Sequence, residues 1–407
     1  MTMEKKEKET VALLSLSHFF CHVAILTYPA ILILIKDKFH VDYETLGTVA
    51  GIYLFLFGAG SLPVGFIADK IKKKHILRVY LAGMAFFSFT AAASANFYVF
   101  SLSIILMGLI GSIYHPVGLS MMSFIGSDKL RAFAIHGIAG TLGVALSAGF
   151  AGILGYFLGY TFPYLILGII FTSLFILSYI FKSQIDAGET AAAAAAKNQA
   201  IEKHAPASAA KGFIKEFFHL NLVLIFIAEF LNGFVFQGVF SFLPAYVGTE
   251  LKNYIFFHNQ AAAAGGFFVT LALIVGVFFQ YNSTRITKNY KSNRAFAFLV
   301  LASGIFLLIS GFTHNILLFI SVLAFSAFNF SINPISNLMI SQNAHERYRA
   351  TAYGVFFFSG FGIGSVAAPI GGIIAQKFAL HWIFAMFGLV LLASFAISSA
   401  IKEGKYR

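Results

Sequence analysis

Residues 11–35 read VALLSLSHFFCHVAILTYPAILILI, an apolar run without Asp, Glu, Lys or Arg. A hydrocarbon core of about 30 Å needs roughly 20 apolar residues per helical crossing, so the run predicts a bilayer-spanning helix. Working outward, runs of similar length recur to residue 399. The hydropathy pattern gives twelve spans: 11–35, 45–68, 76–95, 97–125, 132–158, 160–181, 219–247, 262–281, 294–312, 314–341, 350–376 and 380–401. The 407 residues are 59% hydrophobic and 11% charged, with mean hydropathy +0.83. This composition excludes a soluble domain and predicts an all-α membrane protein. The first run has no small-residue cleavage pattern behind it, so it is expected to stay as the first helix.

The net charge of +12 does not point to nucleic acid, because the cations alternate between connections instead of forming one patch. Every Lys and Arg except Lys36, Lys38, Lys252 and Lys377 falls at the termini, in the even-numbered connections or in the central segment. The positive-inside rule then predicts cytoplasmic termini in a multi-pass cell (inner) membrane protein. The single cysteine, Cys21, rules out an intramolecular disulfide.

Hydropathy collapses from residue 182 to 218, a stretch that includes the alanines from Ala191 to Ala196. The expected organisation is an amino-terminal bundle at 1–181, a cytoplasmic linker at 182–218 and a carboxy-terminal bundle at 219–407. The two halves match at nearly constant offset. Pro29-Ala30 corresponds to Pro244-Ala245, His115-Pro116 to Asn333-Pro334, and Arg131-Ala132 to Arg349-Ala350. Such duplication is the pattern of transporters whose site lies between repeats near the bilayer midplane.

Between the second and third spans runs Gly65-Phe66-Ile67-Ala68-Asp69-Lys70-Ile71-Lys72-Lys73-Lys74, which resembles the signature loop of the major facilitator superfamily, with Lys72 where a second glycine is usual. The resemblance implies twelve helices in two pseudo-symmetric six-helix bundles. Asp69, Lys73, Arg131 and Arg349 are then the expected gating residues, with Asp69 pairing with Arg131 in one conformation. The corresponding loop of the second half has Thr284 in place of the acid.

Ser17-His18-Phe19 and Tyr114-His115-Pro116 resemble the fosmidomycin-resistance-like branch, which are drug efflux proteins. His22 stands where that branch tends to have Asp, and Val117 where it tends to have Glu. The fifth span lacks the Gly-Pro pair of drug antiporters. It carries Gly137, Gly140, Gly143, Gly149, Gly152 and Gly155 instead, a spacing that predicts close packing on a neighbouring helix.

Polar groups inside a span are costly and mark candidate sites. Of the sixteen acidic residues, only Glu229 lies well inside a span, which makes it the leading proton-coupling candidate. His18 and His22, four residues apart on one helical face, and His115 beside a proline join it, because imidazoles exchange protons near neutrality. Asn232, Phe236, Gln237 and Phe240 extend the Glu229 face, and Asn329 and Asn333 form an amide stripe. With Tyr114 these are the expected substrate contacts. His136 and His75 are expected at the interface.

No Gly-x-x-x-x-Gly-Lys-Ser/Thr loop occurs, which argues against ATP-driven pumping, and no nucleophile–base pair suggests an enzyme. The expected function is secondary active transport of a small organic solute, amphipathic or anionic, by alternating access. Proton coupling and export are favoured, and the protein is expected to be a monomer without a cofactor or resident metal. Alternatives are uptake of an anionic metabolite, transition-metal transport through the histidines, and a non-transporting sensor or scaffold.

Overall fold

The computed structural model describes residues 4–68, 71–122, 125, 129–181, 219–253, 257, 260–283, 290–344 and 349–403, with backbone alone at 66, 129, 130 and 349–351. Among the described residues twelve helices are long and apolar enough to cross a bilayer. They are α1 Lys5–Ala30, α2 Tyr43–Gly65, α3 Lys73–Ala92, α4 Phe97–Met122, α5 Arg131–Leu158, α6 Phe162–Ile180, α7 Leu220–Leu251, α8 Ala261–Ser283, α9 Ser292–Ser310, α10 Asn315–Asn343, α11 Ala352–Lys377 and α12 Leu380–Ser399. The sequence-read spans fall on these twelve. Helix α1 begins earlier than its apolar run, because Glu4 and Glu7 form a reciprocal capping box, with the Glu4 amide donating to Glu7 Oε2 at 3.1 Å. Asp69, Thr284 and the linker at 182–218 lie outside the described residues.

The helices pack as two sets of six. In the first, α1 lies on α5, α3 on α4 and α6, and α2 on α4; in the second, α8 lies on α7 and α10, α9 on α10 and α12, and α7 on α12. Buried tyrosine hydroxyls tie neighbours together by donating to backbone carbonyls: Tyr28 to Leu46 at 3.0 Å and Tyr53 to Ile25 at 3.1 Å in the first set, Tyr246 to Ser310 at 2.8 Å in the second. In lipid such bonds and close backbone approach hold helices together, since hydrophobic burial between helices adds little.

Two seams join the sets, α2 against α11 and α5 against α8. A β-carbon on Gly47 would meet the Ala368 carbonyl at 2.6 Å and Gly372 Cα at 3.0 Å, and one on Gly152 would meet the Ala262 carbonyl at 2.5 Å and Gly266 Cα at 3.0 Å. The Tyr43 amide also donates to Gln376 Oε1 at 3.3 Å. These contacts sit at the end that carries the odd-numbered connections. At the opposite ends of α2, α5 and α11, added β-carbons on Gly65, Gly137 and Gly354 would meet nothing within 4 Å.

Helices α4 and α11 are interrupted near mid-depth. In α4 the chain turns at Ser112–Ile113, where Pro116 has no N–H to return to the Ser112 carbonyl. In α11 a wide turn at Phe358–Gly362 and a tight turn at Ile363–Val366 separate two regular pieces, beside Gly360, Gly362, Gly364 and ahead of Pro369. Irregular backbone at membrane depth persists where protein partners or a cavity satisfy it. Here the Gln237 side-chain amide donates to the Phe361 carbonyl at 3.3 Å.

Candidate functional site

In the first half, α1, α4 and α5 bring four histidines together. The His18 ring stacks on His136 with centroids 4.2 Å apart and lies 5.0 Å from His22 and 5.2 Å from His115. Helix α5 can come this close because Gly140 faces His18; a β-carbon there would stand 2.2 Å from the imidazole. The hydrogen bonds fix the protons. A carbonyl only accepts, so His18 Nδ1–H donates to the His136 carbonyl at 2.9 Å. Neutral His18 therefore presents its Nε2 lone pair to His22 Nε2 at 3.2 Å, and His22 is the donor. The Tyr114 hydroxyl gives its one proton to the Leu14 carbonyl and receives the His136 Nε2–H at 3.0 Å.

Two expectations change here. His136 is not interfacial: it is 2% exposed and is the platform on which His18 rests. The signal was present, since His136 and Gly140 are four apart and share the helical face whose Gly140 and Gly143 meet α1. Tyr114 is fully buried with both hydrogen bonds internal, so it holds the histidines in place and presents no surface to a solute.

In the second half, Glu229, Asn232, Gly233 and Phe236 of α7, Asn329, Ile332 and Asn333 of α10, and Gly360 and Phe361 of α11 line one cavity. Glu229 and Asn232 are 7% and 5% exposed. Glu229 Oε2 and Asn232 Nδ2 have no hydrogen-bond partner, although the Ser394 hydroxyl donates to Asn232 Oδ1 at 3.3 Å. Glycines make room: a β-carbon on Gly233 would fall 2.3 Å from Gly360 Cα, and one on Gly360 would stand 3.6 Å from Glu229 Oε1. The cavity's volume is about 50 Å³. That holds a few waters, whereas organic ligands occupy roughly 300 Å³ or more.

Gln237 and Phe240 stand behind this wall. Gln237 serves the Phe361 carbonyl, so its role here is to brace α11, while Phe240 stacks on Phe236 at 4.1 Å. Two aromatic residues missed in the sequence separate the clusters: Phe57 of α2 lies 5.7 Å from His115 and 6.5 Å from Phe361. Among fifty phenylalanines nothing local marks these two. Of the gating set, Lys73 is buried and Arg131 exposed, each with partners. The Arg349 side chain and Asp69 lie outside what is described.

Twelve membrane helices in two six-helix sets, with irregular helices and polar residues at their junction, define a membrane transporter. The chain belongs to the Major Facilitator Superfamily, a model of which matches residues 14–369. Among curated proteins it is similar to a probable sugar efflux transporter of Helicobacter pylori strain J99, 24% identical over 171 residues. That match spans 42% of this chain and 44% of the relative, under half the length of either. Among solved structures, a mutant of the nucleoside transporter NupG superposes with TM-score 0.77 at 14% identity, covering 97% of this chain and 100% of that one. A POT family transporter in complex with 5-aminolevulinic acid superposes with TM-score 0.74 at 13% identity, covering 95% and 94%. At these identities the likeness is one of fold.

Proposed function

We propose that the protein is a proton-coupled secondary transporter that exports a small organic solute, amphipathic or anionic, by rocking residues 1–181 against 219–407 about the linker 182–218. The observation that carries this reading is the pair of unpartnered polar atoms, Glu229 Oε2 and Asn232 Nδ2, on the wall of a cavity between α7, α10 and α11. A buried carboxyl without a partner is costly. It becomes tolerable if it binds a proton in one conformation and gives it up, or meets a solute, in the other. Asn232, Asn329 and Asn333 supply donors and acceptors for the solute, and Phe236 and Phe361 supply apolar walls.

With the termini in the cytoplasm of a monomer in the inner membrane, the seams α2–α11 and α5–α8 close the outer end, and the helices open inward. Release of the gate then involves Asp69, Lys73, Arg131 and Arg349 at the cytoplasmic ends. His18, His22 and His115 of the other half, set apart from the cavity by Phe57 and Phe361, are the second place where protons are held. Export follows the resemblance of Ser17-His18-Phe19 and Tyr114-His115-Pro116 to efflux proteins and the name of the Helicobacter pylori relative.

The test is transport in liposomes. Purified protein should move at least one member of a panel of drugs, sugars and organic acids, faster with a pH gradient than without. No movement of any panel member under either condition contradicts the reading.

A further inference from the structure

We infer that His18, His22 and His115 form a binding site for a transition-metal dication of the Zn²⁺ and Co²⁺ type, held by three imidazoles with its fourth position open. The inference does not need Glu229, the proton carrier of the other half, but an ion held here would take the place of the protons assigned above to these three histidines.

Three observations support it. The first is distance. One ligand nitrogen from each of the three residues lies within 4.8 Å of the other two. A tetrahedral metal with bonds of 2.0–2.1 Å separates its ligand nitrogens by about 3.3 Å. His18 Nε2 and His22 Nε2 are already 3.2 Å apart, and the widest pair needs to close by at most about 1.5 Å, within reach of a side-chain rotation.

The second is tautomer. Metal-bound imidazoles characteristically donate their other N–H to a backbone carbonyl or carboxylate, which orients the ring and makes it more basic. His18 Nδ1–H already donates to the His136 carbonyl, so its Nε2 lone pair is aimed at the gap. The proton now shared between His18 and His22 occupies the place of the ion. Besides the side-chain rotation, binding needs the shift of that proton from His22 Nε2 to Nδ1, which consumes and releases nothing.

The third is the surrounding shell. His18 is 9% exposed, while His22 and His115 are half-buried and face the interior. Phe57 lies edge-on to His115 at 5.7 Å, and Tyr114, Tyr80 and His136 fill the space behind. These aromatic walls limit solvent access to the site. Three neutral imidazoles leave the ion its full charge, so its open position favours an anionic donor such as a carboxylate. Cys21 is buried and adjacent to His22 in sequence, about 100° round the helix, and does not join the set.

The experiment uses Co²⁺ alone as the probe, added to the full-length, tag-free protein in detergent. Wild-type protein should develop the intense visible absorption of tetrahedral Co²⁺ at one equivalent, and Zn²⁺ should bleach it. His115→Asn copies the repeat-related Asn333, and His22→Asn keeps a polar side chain; each should weaken Co²⁺ binding about 100-fold or abolish the bands. Circular dichroism and melting temperature without metal establish that both variants fold. Absence of the bands in wild-type protein overturns the proposal, as does their persistence in two folded variants, which would place the ion elsewhere.

Discussion

Gly58 of α2 and Gly362 of α11 cross with no room for a side chain: a β-carbon on Gly58 would stand 2.4 Å from the Gly362 nitrogen. From Tyr43 to this crossing the α2–α11 seam runs about 22 Å at 1.5 Å per residue. It ends beside Phe361, a wall of the Glu229 cavity. The seam that closes one end of the molecule is thus directly joined to the candidate site.

Gly58→Ala should penalise this conformation selectively. Backbone cannot yield as a flexible side chain can, and overpacking costs about 1–3 kcal/mol, which shifts a two-state equilibrium about 5- to 150-fold. Cys21 is buried, so a cysteine placed at Ala375, which is buried on α11 near the Gly47–Gly372 contact, reports the seam alone. Its labelling by a membrane-impermeant thiol reagent should accelerate by that factor in the Gly58→Ala background, and an unchanged rate would separate the seam from the conformational change.

Asn333 is exposed at the cavity wall, so Asn333→Ala should leave the melting temperature unchanged. Loss of one solute hydrogen bond, about 1–2 kcal/mol, should raise the solute's apparent Kd roughly 5- to 30-fold. Equal affinity in wild type and variant would remove the amide stripe from the site.

Tyr114→Phe strips the partner from a buried His136 Nε2–H. An orphaned buried donor costs about 1–3 kcal/mol, which should appear as a lowered melting temperature in detergent. Tyr98→Phe, at an exposed position, is the control and should melt like wild type. Equal melting of all three proteins would mean that the hydroxyl does not hold the histidines.

Asp42, outside the spans, caps α2 by accepting the Thr45 amide at 2.8 Å. Hydrogen bonds from the Thr45 side chain and amide hold its carboxyl below the usual range. Since the folded state favours the charged form, its contribution is present at neutral pH and is lost as pH falls through the lowered value. Asp42→Ala should cost about 0.5–1 kcal/mol at pH 7. Asp42→Asn should keep the cap and flatten the acid side of the melting profile, whereas a profile as steep as wild type would assign that slope to other groups.

The number and order of helices were readable because a lipid solvent imposes length and apolarity on each span, and residues 11–35 already meet that demand. The duplicated His115-Pro116 and Asn333-Pro334 were also readable, and each stands within one of the two polar clusters. Where polar groups meet was less legible. His136 lies near the end of its helix, and its place on the Gly140 face, which packs on His18, outweighs that position and buries it. Gln237 shares the periodicity of Glu229 and Asn232, yet the break in α11 draws it to the Phe361 carbonyl, and hydropathy passes smoothly across that break. Phe57 and Phe361 gain their position from the crossing of two helices far apart in sequence.

The most direct test of the account is proton movement in Glu229→Gln, the isosteric change that removes the titrating oxygen. Liposomes containing this variant should still exchange labelled solute for unlabelled solute at a rate close to wild type. They should show no solute-dependent pH change inside and no accumulation driven by a pH gradient. Wild-type proton movement in the variant would contradict the assignment of Glu229 as the group that carries the proton.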